Sequence, residues 1–127
     1  MNVMVSISCG ELFDKIEILK IKEQKISDRE KLKHVKYELN ILLGIGSKIP
    51  ATPRLTDLAL RLGEINSKLW DVEDNIRLCE RNKLFDDEFV RLARSVYHYN
   101  DERFRLKNAI NIECSSEVHE MKSYQEY

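Results

Sequence analysis

Between Leu55 and Cys79, apolar side chains recur three and four residues apart without a slip. The series is Leu55, Leu58, Leu62, Ile65, Leu69, Val72, Ile76 and Cys79. Spacing of that kind, sustained over several heptads, dictates a long α-helix with one buried face. Thr52 before Pro53 supplies its start, a capping hydroxyl followed by proline at the first helical position. A turn is expected near Arg81 to Phe85, with Asp86 or Asp87 capping another helix that runs to about Asn111. The connection is short, so the two helices should fold back as an antiparallel hairpin.

The second helix of that hairpin carries an anomaly. With Phe89, Ala93 and Val96 as its buried stripe, the same spacing continues to Asn100, Arg103, Lys107 and Ile110. Amide and cationic side chains on an apolar stripe are costly unless they are paired or bind something.

Ahead of the hairpin, residues 1–8 alternate: Val3, Val5 and Ile7 face one way, Asn2, Met4, Ser6 and Ser8 the other. That pattern predicts a short strand, which would need a partner such as a second copy of the chain. Ser8 and Glu11 form a capping box that opens helix one, with Leu12, Ile16, Leu19 and Ile26 as its stripe, widened by Phe13 and Ile18. Ser27 and Glu30 read as a second capping box, opening a helix with Leu32, Val35, Leu39 and Leu42 inward and Gly44 and Gly46 ending it. The expected fold is a single all-α domain over 1–127, a helical bundle built on a long antiparallel helical hairpin with a short N-terminal strand. Its expected parts are a strand at 1–8, helices at 9–26, 28–43, 53–80 and 86–111, and a polar, tyrosine-containing tail at 113–127.

The chain has 127 residues, enough for a real core, and charged residues make up 34% of it against 43% apolar. Its formal net charge is -1, so no global basic field draws it to nucleic acid. The basic run Lys20, Lys22, Lys25, Arg29, Lys31, Lys33 and Lys36 is interrupted by Glu17, Glu23, Asp28 and Glu30, the pattern of a solvated face. No stretch approaches the ~20 apolar residues of a membrane span, and the N-terminus lacks the features of a secretory signal. Cys9, Cys79 and Cys114 are far apart in sequence, with no CxxC pair and no zinc spacing, and are expected as free thiols in the cytoplasm. His34, His98 and His119 lack ligand neighbours at metal-binding spacing. No P-loop or GxGxxG is present, so no metal or cofactor is expected.

The polar residues nonetheless form a constellation. On the first hairpin helix a stripe of Asn66, Trp70, Glu73, Arg77 and Glu80 runs beside the leucine seam, flanked by Asp71 and Asp74. On the second, the matching set is Arg94, Tyr97, Asn100, Asp101, Arg103 and Lys107; helix one adds Glu11, Asp14 and Lys15. One reading is a pocket for a small anionic ligand, with Arg77, Arg103 and Lys107 holding charge, Asn100 orienting, and Trp70 and Tyr97 as walls. Glu73 or Asp74 would then fix the arginines or act as acid or base. The other reading needs no ligand. A turn centred near residue 83 or 84 sets Glu73 opposite Arg94 and Glu64 opposite Arg103, as interhelical ion pairs.

These residues resemble a small bacterial family that carries only a domain-of-unknown-function label. The resemblance rests on GEL-x-DK-x-x-IL-x-IK (Gly10 to Lys22), LW-D-x-ED-x-IR (Leu69 to Arg77) and LAR-x-VY-x-x-ND-x-R-x-x-x-K-x-x-IN (Leu92 to Asn111), with Lys122-Ser123-Tyr124 also similar. It covers nearly the whole chain. It implies a bacterial source, marine or proteobacterial in type, and a setting near surface-polysaccharide and glycosyltransferase genes. It implies no catalytic roles. A looser likeness, to the all-helical chorismate mutases, is one of architecture, since their N-terminal arginine has no match here.

The function expected from this reading is a helical binding or assembly module, homodimeric, accessory to cell-surface polysaccharide synthesis. The alternative is a small enzyme or carrier that holds an anionic metabolite or nucleotide-sugar between helices.

Overall fold

The structure, a computed structural model, describes residues 1–116 and 120–127. Four helices follow in order: α1 (Cys9–Lys25), α2 (Arg29–Gly46), α3 (Pro53–Arg81) and α4 (Asp87–Glu113). The fold is all-α, and no helix among the described residues is long and apolar enough to cross a membrane.

The starts follow the local chemistry. Ser8 Oγ accepts the Glu11 N–H at 3.0 Å, Thr52 Oγ1 the Leu55 N–H at 3.0 Å, and Asp86 the Phe89 N–H at 3.2 Å. For α2 the cap is Asp28, which accepts from Lys31, so Ser27 and Glu30 make no capping box. Asp and Ser are about equal as caps, and a run of two candidates leaves the position open by one residue. Neither Gly44 nor Gly46 stops α2 by turning left-handed: no glycine has a positive φ, and Ser47 follows the helix in right-handed geometry. Among the described residues the left-handed ones are Lys83 (φ 55), in the α3–α4 turn, and Ser115 (φ 54), just past α4.

The expected N-terminal strand is not formed. Among the described residues there is no strand, and Val3 and Val5 are exposed. Alternation gives a segment two faces, but a strand exists only when a neighbour accepts its backbone hydrogen bonds, and here no neighbour does.

The α3 seam lies where its spacing requires. Leu55, Leu58, Leu62 and Ile65 join Leu106 and Ile110 of α4 in one core cluster, and Val72 is also buried. The α4 stripe is rotated from its predicted face. Its inward residues are Leu92, Val96, Tyr99, Arg103, Leu106, Lys107 and Ile110, while Ala93 and Asn100 are exposed. The two registers share Val96, Arg103, Lys107 and Ile110; the true one adds Leu92, Tyr99 and Leu106 and leaves Ala93 and Asn100 outside. Turning Leu92, Tyr99 and Leu106 inward buries more apolar area than Ala93 and Asn100 would, which decides the orientation.

Helix α1 lies across the hairpin and packs on both α3 and α4, while α2 packs on α1 alone. Leu12, Ile16 and Leu19 of α1 form a second cluster with Val35 and Leu39 of α2. Gly10 permits the α1–α4 crossing, because a Cβ there would lie 2.3 Å from the Lys107 carbonyl oxygen. The close approach is fixed by Asn111, whose side-chain oxygen accepts the Gly10 N–H at 2.7 Å.

Candidate functional site

Where α1 crosses the hairpin, polar residues of α1, α3 and α4 meet. Asp14 is 1% exposed. A carboxylate so buried must be surrounded by donors. Arg103 grips it bidentately, Nε to Oδ1 at 2.9 Å and Nη2 to Oδ2 at 2.5 Å, and Asn66 Nδ2 donates to Oδ1 at 2.9 Å. One turn along α4, Lys107 Nζ is held by Glu11 and by Glu120 of the tail, each at 2.8 Å, with Asp14 at 3.9 Å. No buried side-chain polar atom among the described residues lacks a partner.

The electrostatics follow from that geometry. The Asp14 hydrogen bonds hold the Arg103 pKa above its ordinary value. Burial pushes Lys107 down, but Glu11 and Glu120 outweigh it and the net shift is upward. Lys107, with help from Lys122, lowers the Glu120 pKa. All these charges are therefore stabilised in their ionised forms.

The interhelical ion pairs of Arg103 and Lys107 run from α4 to α1, and not from α4 to α3 as the turn arithmetic suggests; the α3–α4 pair among the described residues is Arg54 with Glu113, at 3.7 Å. Arg103 meets Asp14 instead of Glu64. Arg94 Nε donates to the Tyr97 hydroxyl at 3.3 Å, and Glu73 pairs along its own helix with Arg77 at 3.7 Å. Facing positions in a hairpin define only one possible partner, and a third helix laid across it supplies a closer one.

Beside this network is an open concavity of about 500 Å³, lined by Ile18, Asn66, Leu69, Trp70, Glu73, Asp74, Arg77, Asn100 and Arg103. Of the predicted site residues it gathers Trp70, Glu73, Asp74, Arg77, Asn100 and Arg103. Lys107 is buried behind them in the ion network. Lys15 is on the exposed side of α1, 3.9 Å from Glu11. Arg94 lines a separate depression along α4 with Asp87, Val90, Arg91, Ser95 and His98. Tyr97 and Asp101 face the tail, where Tyr127 donates to Asp101 and stacks near Tyr97 and His98. His119 lies outside the described residues.

Sequence reasoning placed Asp14 and Glu11 nearby but gave them no partners, and it missed Asn111 and Glu120. A polar residue four positions beyond Lys107 and one beyond Ile110 was the available signal for Asn111. For Glu120 there was none, because the tail has no periodicity from which a face could be read. Cys9 and Cys114 are also brought within hydrogen-bonding reach of each other, so their distance in sequence misleads; both remain free thiols.

Residues 3–127 match the model of a family described as a family of unknown function (DUF6165). No curated protein and no solved structure matches the chain.

Proposed function

We propose, for a chain that belongs to the family of unknown function DUF6165, a binding module whose interhelical concavity receives a neutral, polyhydroxylated ligand of the sugar class. The observation that carries this reading is the engagement of Arg103. Its guanidinium is already bidentate on a buried carboxylate, and its remaining nitrogen, Nη1, is 3.4 Å from Asn100 Oδ1. An anion would have to compete with Asp14 for the same charge, and Lys107 is turned away behind two glutamates.

What remains on the walls suits hydroxyl groups. The lining holds two acidic and two basic side chains, Glu73 and Asp74 against Arg77 and Arg103, with two amides, Asn66 and Asn100. Planar amides, carboxylates and guanidinium groups can each bond two neighbouring hydroxyls, and Trp70 offers an aromatic face to the apolar side of a sugar ring. A volume of about 500 Å³ lies within the ~300–1,000 Å³ span of small-molecule sites. The ligand class also agrees with the surface-polysaccharide setting that the family resemblance implies, and a role accessory to that synthesis is part of this proposal. The anionic-ligand reading is the one this geometry favours less.

A thermal-shift screen tests it, with neutral mono- and oligosaccharides, nucleotide sugars, inorganic phosphate and dicarboxylates. Neutral sugars should raise the melting temperature of the wild type and not of Trp70→Ala or Asn100→Ala. Asn100 is exposed, so its truncation leaves the fold intact. Stabilisation by phosphate or dicarboxylates alone, lost in Arg77→Ala, would replace this reading with the anionic one.

A further inference from the structure

Helix α2 packs on α1 alone, and its opposite face carries a second, exposed seam. Glu30, His34, Tyr37, Ile41 and Gly44 recur at intervals of four and three residues, and Lys48 follows four beyond, just past the helix end; all six are exposed. Tyr37 is 66% exposed, Ile41 45%, and the flanking Ile45 46%. No other helix among the described residues packs on this face.

Gly44 gives an independent pointer. It lies inside α2, has no positive φ, and a Cβ built on it would meet nothing within 4 Å. A helical glycine costs ~1 kcal/mol relative to alanine, and neither a turn nor a close contact inside the subunit accounts for it. A seam glycine does allow two helices to approach closely.

We infer that α2 is a self-association surface, on which a second copy of the chain pairs its own α2 antiparallel about a two-fold axis near Leu39. The occupant follows from the seam's order. Turned end for end, it matches itself: Tyr37 meets the partner copy's Ile41 position, His34 meets Gly44, and Glu30 meets Lys48. Acid faces base at both ends, apolar faces apolar in the middle, and the bulky imidazole meets the glycine. A parallel pairing would instead place Glu30 on Glu30 and Lys48 on Lys48. Lys33 falls opposite Ile45, where its aliphatic stem can cover the apolar side chain. This interface is separate from the concavity, and it does not use the α3 seam, which is consumed inside the subunit.

One pair of helices buries less than the ~800 Å² per partner of a standard interface, so the dimer is a dissociating one. Sedimentation equilibrium from ~1 µM to ~1 mM brackets the expected dissociation constant. The wild type should rise from the 15.0 kDa monomer towards twice that mass. Gly44→Gln should remain monomeric over the range while melting no lower than a wild-type monomer, since the new side chain meets only solvent. Ile41→Lys should do the same. Glu30→Lys and Lys48→Glu should each weaken the dimer about tenfold, and their combination should restore it. That rescue would work against the helix dipole, which disfavours a base at the start of α2 and an acid at its end. A wild type that stays monomeric at ~1 mM, including one whose own N-terminal segment covers the seam, overturns the proposal. So does a dimer insensitive to Gly44→Gln and Ile41→Lys, or one that the charge exchange fails to recover.

Discussion

Asp14 is a carboxylate almost beyond the reach of solvent, bonded by Arg103 and Asn66. Removing one member of a buried pair strands the other, at a cost of ~3–5 kcal/mol. Asp14→Ala should therefore lower the unfolding free energy by about that much in urea titrations, and Arg103→Ala by a similar amount. The double variant should lose clearly less than the sum, because each single change already breaks the same contact. Strict additivity would show that Arg103 is held by something other than Asp14. Gly10→Ala should cost about 2–3 kcal/mol by the same measurement, since the added methyl collides with backbone at Lys107. At this scale the sequence was half readable. Charged residues at core spacing marked Arg103 and Lys107 as needing either ion partners or a ligand, and the structure places both inward with carboxylate partners. Their partners were not readable, because a crossing of α1 over the hairpin leaves no periodic trace in either helix. Cys114 carries a further test. Burial, with the neighbouring Cys9 thiol, pushes its pKa up to about 11, so it should resist iodoacetamide at pH 8 and become labelled as the pH approaches that value. Prompt alkylation of Cys114 at pH 8, seen by peptide mass mapping, would contradict the packing of the two helix ends.

Elements that announce themselves by caps were found in place: Thr52-Pro53 opens α3, Asp86 opens α4, and Ser8 opens α1. Those whose identity depends on a neighbour were not, and the N-terminal segment is the clearest case. The α4 register failed for a different reason. Two stripes shared four residues, and only the facing helices choose between them. The tail is a third kind of element, and among its described residues side chains fasten its far part: Glu120 on Lys107 at 2.8 Å, and Tyr127 on Asp101 and, at 3.2 Å, His98. The titration of these groups sets the pH range in which it docks. Glu120 has a lowered pKa, so its contribution is complete above the ordinary carboxylate range and is lost as pH falls through the lowered value. Asp101 raises the Tyr127 pKa, so that contribution is complete below the ordinary phenol value and is lost as pH rises through the raised one. The strap should remain docked across neutral pH and release at both extremes. Tyrosine ring resonances of Tyr124 and Tyr127 followed by NMR would report both releases. Glu120→Gln should weaken docking at neutral pH and speed tryptic cleavage after Lys122 a few-fold. A tail whose resonances do not change in acid would remove Glu120 from this role.

The whole molecule divides by how its helices are supported. The hairpin of α3 and α4 has the longest seam, and α1 is fastened to it by apolar contacts and by the buried ion network. Helix α2 has only α1 beneath it, through Val35 and Leu39, and its outer face meets solvent. The hairpin was readable in the sequence because both partners and their turn are contiguous; the hierarchy was not, since nothing local in α2 says how many neighbours it will have. That hierarchy predicts the order of opening. An element with few buried contacts opens with less free energy than the global transition, so α2 amides should exchange with deuterium first and those of α3 around Leu58 to Ile65 last. The same experiment separates the two accounts of the α2 outer face. If α2 pairs with a second copy, raising protein concentration through the dissociation range should slow exchange in α2 and leave the hairpin unchanged, with a gain that follows mass action. In Gly44→Gln the concentration dependence should vanish. Protection that is uniform over all four helices, or α2 protection that is high and independent of concentration, would mean that α2 is secured within the subunit by contacts other than those with α1.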